Sequence, residues 1–269
     1  MRCVGICRFS YAGRGGFSVG FDDMEAQKAY LYDPARMEER LRLFEAVTLP
    51  SVAGQTDPDF TFLIVTGNSL PEPYLARLRA LTAGIPQCEI RQYPPRPHRR
   101  IMRKALLDWR GETDAAHLQF RLDDDDAMAL DFVAAFRQTA HDIAPIRTRH
   151  PAVAVDFNRG YVYTAGAEGM KLWPYTYAYS AIALGIVVQP GSDITIMGQG
   201  HQNLWQEMPT VTFTHSDMML RGHNDFNDSR LKGKKNVFDY QPMDADQAAH
   251  IRARFGVDDA TVRAVFSRP

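Results

Sequence analysis

The chain has 269 residues, of which 45% are hydrophobic and 23% are charged, and its formal net charge at pH 7 is -1. These proportions are typical of a globular protein with a sizeable core and exclude an intrinsically disordered chain. The near-neutral charge also excludes a protein whose main surface binds nucleic acid or another polyanion.

The cysteines and the apolar runs indicate the compartment. Three cysteines are too few for a disulfide framework, and Cys3 and Cys7 lie in an apolar run, which predicts buried free thiols. Arg8 interrupts this run, and no stretch of about 18 apolar residues occurs, so we expect neither a signal peptide nor a membrane span. Free thiols without a leader predict a cytoplasmic protein, with peripheral contact to a membrane surface left open.

The first half of the chain alternates strand and helix patterns in the order expected of an α/β domain. Apolar runs predict strands at 4–9, 60–66, 88–93 and 116–122. Apolar stripes at helical spacing predict helices at 36–52, from 71, at 99–109 and after Asp126, which we expect to cap the last of them. This order predicts a largely parallel, doubly wound sheet.

The second half has a different pattern. Residues 152–165 and 171–188 are rich in Val, Ile and Tyr without a long helix between them, and 211–214 reads as another short strand. We expect these strands to extend the sheet in an antiparallel manner. The sequence has no flexible linker, so we predict one domain over 1–269 with two halves, 1–145 and 146–269.

Ligands of open α/β sheets bind outside the carboxyl ends of the strands. This rule places three separated segments on one rim: Arg8–Ser10, 66–68 and 123–126. Arg8 there would contact an anionic ligand through its guanidinium, or pair with the acidic residues. Both roles remain open from the sequence.

Four consecutive aspartates, Asp123 to Asp126, follow the fourth predicted strand. Adjacent carboxylates repel one another, and a divalent cation such as Mg²⁺ or Mn²⁺ would make the cluster favourable. We expect Asp125 to bind the metal and Asp123 to reach the metal or a ribose, with Asp124 facing solvent and Arg121 balancing the charge. The alternative is a solvated acidic loop.

The aspartate cluster resembles the Asp-x-Asp region of glycosyltransferases with the GT-A fold. Three further segments resemble the bacterial putative rhamnosyltransferase family, in the same order along the chain: Arg8-Phe9-Ser10, 40–51 and 55–60. The resemblance implies a GT-A-like mixed sheet flanked by helices. It also implies metal-assisted transfer of a sugar, rhamnose by the family's name, from a nucleotide diphosphate donor to a hydroxyl of a saccharide or glycolipid acceptor.

The resemblance also implies roles for particular residues. Asp123 and Asp125 would be the catalytic residues, and the donor would contact Arg8, Ser10, Arg121 and Asp123. The metal would be Mn²⁺ or Mg²⁺ bound by Asp123, Asp125 and a late histidine. His223 is our choice for this histidine because it lies in a polar, glycine-containing segment, with His215 in reserve and His201 as the third candidate.

Two other functions remain open from the sequence. One is a metal-dependent nucleotidyltransferase or phosphohydrolase, although residues 8–20 fit a phosphate-binding glycine loop poorly. The other is a non-catalytic carbohydrate-binding protein. A general base for an inverting transfer could be any of five acidic residues of the second half, and the sequence does not choose among Asp156, Glu168, Glu207, Asp217 and Asp225.

Overall fold

A mixed sheet of seven strands forms the centre of this computed structural model, which describes residues 1–15, 21, 23–112, 115–227 and 238–269. The strands lie in the order β10-β6-β9-β4-β1-β2-β3. Their bounds are β1 Arg2–Arg8, β2 Thr61–Gly67, β3 Cys88–Tyr93, β4 His117–Arg121, β6 Ala152–Phe157, β9 Leu184–Val188 and β10 Thr210–Phe213.

The four described strands that the first half contributes to the central sheet are parallel, as predicted. β1 pairs with both β2 and β4, and β2 pairs with β3, with Cys7 opposite Ile64 in the register. The inner residues of β1 and β2 are buried, which is why these strands are apolar on both faces. Cys3 and Cys7 are buried free thiols, which confirms that prediction.

Helices flank the sheet and account for most of the remaining elements of the first half. They are α1 Met24–Leu31, α2 Pro34–Leu43, α3 Leu49–Ala53, α4 Glu72–Thr82, α5 His98–Arg110, α6 Phe132–Asp142 and α7 Ala144–Arg147. The helix predicted at 36–52 is interrupted by a π-helical turn at Phe44–Thr48. Pro50 explains the wider turn, because a proline ring clashes with the carbonyl four residues earlier.

The second half extends the central sheet and also builds a second one. β9 pairs antiparallel with β4 and β6, as predicted, but β10 pairs parallel with β6. Among the described residues, the second sheet has the order β12-β8-β7-β11-β5. Its strands are β5 Ala127–Met128, β7 Arg159–Gly166, β8 Gly169–Thr176, β11 Met219–Gly222 and β12 Gln241–Pro242. The sequence patterns did not predict this sheet.

The remaining helices are α8 Leu204–Glu207, preceded by a 3₁₀ turn at His201–Asn203, and the C-terminal pair α9 Ala245–Phe255 and α10 Asp259–Phe266. The prediction that Asp126 caps the next helix is wrong. Residues 127–128 form β5 instead, and α6 begins only after Asp131. No helix within the described ranges is long and apolar enough to cross a membrane.

Candidate functional site

A cavity of about 790 Å³ opens at the carboxyl ends of β1 and β4, where the strand order predicts a ligand. Its volume lies in the range of pockets that hold small organic ligands. Both halves of the chain contribute to its wall: Arg8, Ser10, Arg36, Arg40, Arg121, Asp123 to Asp126, Tyr175, Tyr177, Ser180 to Ile182, Gly200 to Asn203, Arg221, Gly222, Phe226 and Asn227.

Arg40 of α2 holds two of the four aspartates. Its guanidinium donates to Asp124 Oδ2 at 3.1 Å through Nε and to Asp125 Oδ2 at 2.9 Å through Nη1, while Nη2 donates to Asp124 Oδ1. Asp124 is only 1% exposed, so the expectation that it faces solvent is wrong. A buried arginine fork that serves two carboxylates explains how adjacent aspartates can fold together without a cation from solution.

Asp125 and Asp126 tie the acidic segment to the second sheet. Asp126 Oδ1 accepts a hydrogen bond from the Gly222 backbone N–H at 2.9 Å, and Asn227 donates to Asp125 Oδ2 at 2.5 Å. The approach is so close that a Cβ atom on Gly222 would lie 2.5 Å from the Asp125 carbonyl oxygen. Burial, followed by the neighbouring Asp125 and Asp123, raises the pKa of Asp126 well above its ordinary value.

Asp123 differs from the other three aspartates because its side chain is 35% exposed and lies on the cavity wall. Arg121 donates to its two carboxylate oxygens at 3.1 and 3.2 Å. Burial opposes the ionisation of Asp123, but Arg121 and Arg8 outweigh it and lower the pKa of this carboxyl to about 2. Asp123 is therefore the ionised and accessible carboxylate of the cluster.

Arginines outnumber aspartates on the cavity wall. The described residues that line it include five arginines and four aspartates, and the raised pKa of Asp126 further reduces the negative charge. Within the wall, Arg40 binds Asp124 and Asp125, and Arg121 binds Asp123. Arg36 donates to Ser10, and Arg221 donates to the Tyr175 hydroxyl. A wall with surplus positive charge suits an anionic ligand such as a diphosphate.

The structure brings together five of the residues that the sequence singled out: Arg8, Ser10, Arg121, Asp123 and Asp125 all line the cavity. Ser10 Oγ accepts a hydrogen bond from Arg36 at 3.0 Å, so it also positions that arginine. The third predicted rim segment, 66–68, is not among the described lining residues, and its Thr66 is fully buried.

His223 follows a glycine that contacts the acidic cluster, but its ring packs elsewhere. Its neighbour Gly222 contacts Asp126, whereas His223 Nδ1 lies 2.5 Å from the Tyr240 hydroxyl and the ring packs edge-on to Phe238. His223 is 9% exposed and is not among the described residues of the cavity wall. Its metal-binding role remains a prediction.

The described side chains allow a limited test of the metal site. They include no group of three or more His, Cys, Asp or Glu residues arranged to hold an ion. Both oxygens of Asp125 already accept hydrogen bonds from Arg40 or Asn227. Mg²⁺ needs only one or two carboxylates when water and substrate phosphates complete its shell, and the exposed, ionised Asp123 fits that requirement.

Sequence reasoning missed three polar side chains that shape the site: Arg36, Arg40 and Asn227. Helical spacing contained a clue to the arginines, because Arg36 and Arg40 lie four residues apart beside the apolar stripe of Met37 and Leu41. Arginines in such a position lie on the buried side of a helix and need carboxylate partners.

Distant likenesses to solved structures were found. S. aureus TarS residues 1–349 share 11% identity at a TM-score of 0.41, over 82% of this chain and 60% of that chain. The same fragment in complex with UDP-GlcNAc shares 9% identity at a TM-score of 0.44, over 86% of this chain and 61% of that chain. The longer TarS structure shares 9% identity at a TM-score of 0.44, over 94% of this chain and 43% of that chain. The chain thus spans about three fifths of the TarS 1–349 chains that it matches.

No curated protein matches the chain by sequence. A protein family does match it, over residues 2–236, and this family is described as putative rhamnosyl transferase. The match includes all four central parallel strands, the acidic cluster and Arg40. It therefore confirms the family that the motifs around Arg8, Arg40 and Asp123 resemble. The chain belongs to the putative rhamnosyl transferase family.

Proposed function

We propose that this chain transfers a sugar from a nucleoside diphosphate donor to a hydroxyl group of a saccharide or glycolipid acceptor, with help from Mn²⁺ or Mg²⁺. The observation that carries the proposal is the cavity at the carboxyl edge of the sheet, where arginines surround one ionised, accessible aspartate. The family's description makes rhamnose the first sugar to test.

The arginines supply the binding energy for the diphosphate. Arg8 and Arg121 lie at the ends of the adjacent strands β1 and β4, and Arg221 comes from β11 of the second sheet. Guanidinium groups form charge-assisted hydrogen bonds with phosphate oxygens and stabilise negative charge that develops as a diphosphate leaves. A hydrogen bond to Asp123 holds the Arg121 guanidinium in its place on the cavity wall.

The cation would be held by Asp123 together with the donor's phosphates. When bound, it supplies Lewis-acid stabilisation of the departing diphosphate. Asp124 and Asp125 then act mainly through Arg40, which fixes the acidic segment on α2. His223 would join the metal site through Nε2, because its Nδ1 lies against the Tyr240 hydroxyl.

The acceptor would occupy the side of the cavity formed by the second half of the chain. Tyr175 and Tyr177 line it and stack on each other with ring centroids 5.6 Å apart and planes 12° apart. Tyr177 is 45% exposed, so a flat aromatic face is available to a sugar ring.

Calorimetry with UDP and dTDP, in Mn²⁺ and in chelator, tests the donor and metal parts of this proposal. We expect binding in Mn²⁺, weaker binding in chelator, and loss of the metal effect in Asp123→Asn. Asp108→Asn is the matched control, because Asp108 pairs with Lys104 on the exposed side of α5. Equal affinity in both conditions would reject the cation, and no binding in either would reject the nucleotide donor.

A further inference from the structure

His201 lies on the cavity wall at the start of the 3₁₀ turn His201–Asn203. Its Nδ1 is 2.5 Å from the backbone carbonyl oxygen of Tyr179. A carbonyl oxygen can only accept a hydrogen bond, so Nδ1 carries the proton of the neutral ring. This leaves Nε2 as the unprotonated nitrogen, with a lone pair available to take a proton.

The carbonyl that orients His201 is itself held in place. Tyr179 has a φ of 57°, in the left-handed region that a non-glycine residue adopts only when its surroundings fix it. Its backbone N–H donates to Asp156 Oδ2 at 3.1 Å, and Asp156 is fully buried. Asp156 therefore fixes the Tyr179 turn, and the Tyr179 carbonyl fixes the tautomer and orientation of His201.

Burial, together with two nearby arginines, favours the neutral form of His201. Burial lowers the pKa of the imidazole below 6.5, and Arg121 and Arg221 act in the same direction, while Asp123 and the Tyr179 carbonyl oppose them. The net result is an imidazole that is neutral at pH 7. It can therefore accept a proton without first losing one.

The carboxylates of the described wall already accept hydrogen bonds from other groups. Asp123 accepts from Arg121, Asp124 and Asp125 accept from Arg40, and Asp126 accepts from the Gly222 N–H. The five acidic residues that the sequence offered as bases are not among the described lining residues. Asp217, for example, pairs with Arg159 and His250.

We propose that Nε2 of His201 is the general base that deprotonates the attacking acceptor hydroxyl. The inference rests on the proposed sugar transfer. The hydroxyl proton passes to Nε2 as the acceptor oxygen forms a bond to the anomeric carbon. The bond from that carbon to the diphosphate oxygen breaks, and its electron pair leaves with the nucleoside diphosphate. The imidazolium then returns its proton to solvent, while Asp156 acts as a positioning residue through Tyr179.

Release of nucleoside diphosphate from dTDP-rhamnose and UDP-GlcNAc, with water as the acceptor, tests this role without a known acceptor. We expect His201→Gln to lower kcat by about 100-fold or more, within the usual contribution of a general base, and to bind dTDP or UDP as the wild type does. The wild-type kcat should fall on the acid side with a midpoint below 6.5, and this limb should vanish in the variant. Imidazole should partly restore His201→Ala.

The control is His141→Gln, which changes an exposed histidine at the end of α6. Unchanged turnover in His201→Gln would overturn the assignment of His201 as the general base. An equal loss of nucleotide binding and turnover would also overturn it, because His201 would then be a donor-binding residue. A wild-type chain that neither binds nor cleaves a donor would contradict the proposed transfer itself. If the wild type turns over the donor and His201→Gln does so equally fast, the proposed transfer stands and only the role of His201 is contradicted.

Discussion

Arg40 is the cation on which the fold of the acidic segment depends. Asp124 and Asp125 are 1% and 2% exposed, and Arg40 bridges them from α2. Arg40→Met keeps most of the apolar stem and removes the charge. Removal of one partner from a buried ion pair costs about 3 to 5 kcal/mol, and we expect the upper part of that range because two carboxylates lose their cation together.

Urea unfolding at pH 7.5 measures this loss directly. The matched control is Arg77→Met, because Arg77 pairs with Glu38 where the two side chains are 29% and 41% exposed, and a pair of that kind contributes less than about 1 kcal/mol. The loss in Arg40→Met should shrink at acidic pH, because the two orphaned carboxylates then take up protons. If Arg40→Met loses no more stability than Arg77→Met, the argument that Arg40 compensates the acidic cluster is wrong.

Two further predictions concern a buried acid and a histidine. Burial raises the pKa of Asp156 to about 6, so the folded state binds more protons than the unfolded state and stability falls as pH rises from about 4 through 6. The unfolding free energy of Asp156→Asn, relative to that of the wild type, should therefore be about 2 to 3 kcal/mol higher at pH 8 than at pH 4. A difference that does not change with pH in urea unfolding would contradict this prediction. If His223 is a metal ligand, His223→Ala should weaken dTDP binding in Mn²⁺ and leave it unchanged in chelator. Calorimetry that shows equal affinity for both proteins in Mn²⁺ would remove His223 from the site.

The first half of the fold could be predicted because its elements are locally encoded. The apolar runs of β1 and β2 and the acidic segment after β4 are visible in the sequence and follow the rule for parallel sheets. The role of Asp126 was mistaken because β5 forms through pairing with β11, more than 90 residues away. No local pattern reports such a contact.

Only part of the charge balance of the site could be predicted, namely the pairing of Arg121 with the aspartates. The helical spacing of Arg36 and Arg40 contained a clue to their burial, but the partnership of Arg40 with Asp124 becomes evident only when α2 is placed against the end of β4. His201 is a similar case. Its proton-accepting nitrogen is defined by the Tyr179 carbonyl, whose position depends on a left-handed turn held by Asp156.

We propose that the arginine-lined cavity cleaves a sugar nucleotide between the sugar and the diphosphate. The most direct measurement is product analysis after the chain is incubated with dTDP-rhamnose and UDP-GlcNAc in Mn²⁺, with Asp123→Asn beside the wild type. We predict release of the nucleoside diphosphate by the wild type and a fall of at least about 100-fold in the variant, which corresponds to about 2.7 kcal/mol of transition-state stabilisation. Release of nucleoside monophosphate or pyrophosphate instead, or equal rates for the two proteins, would contradict the account.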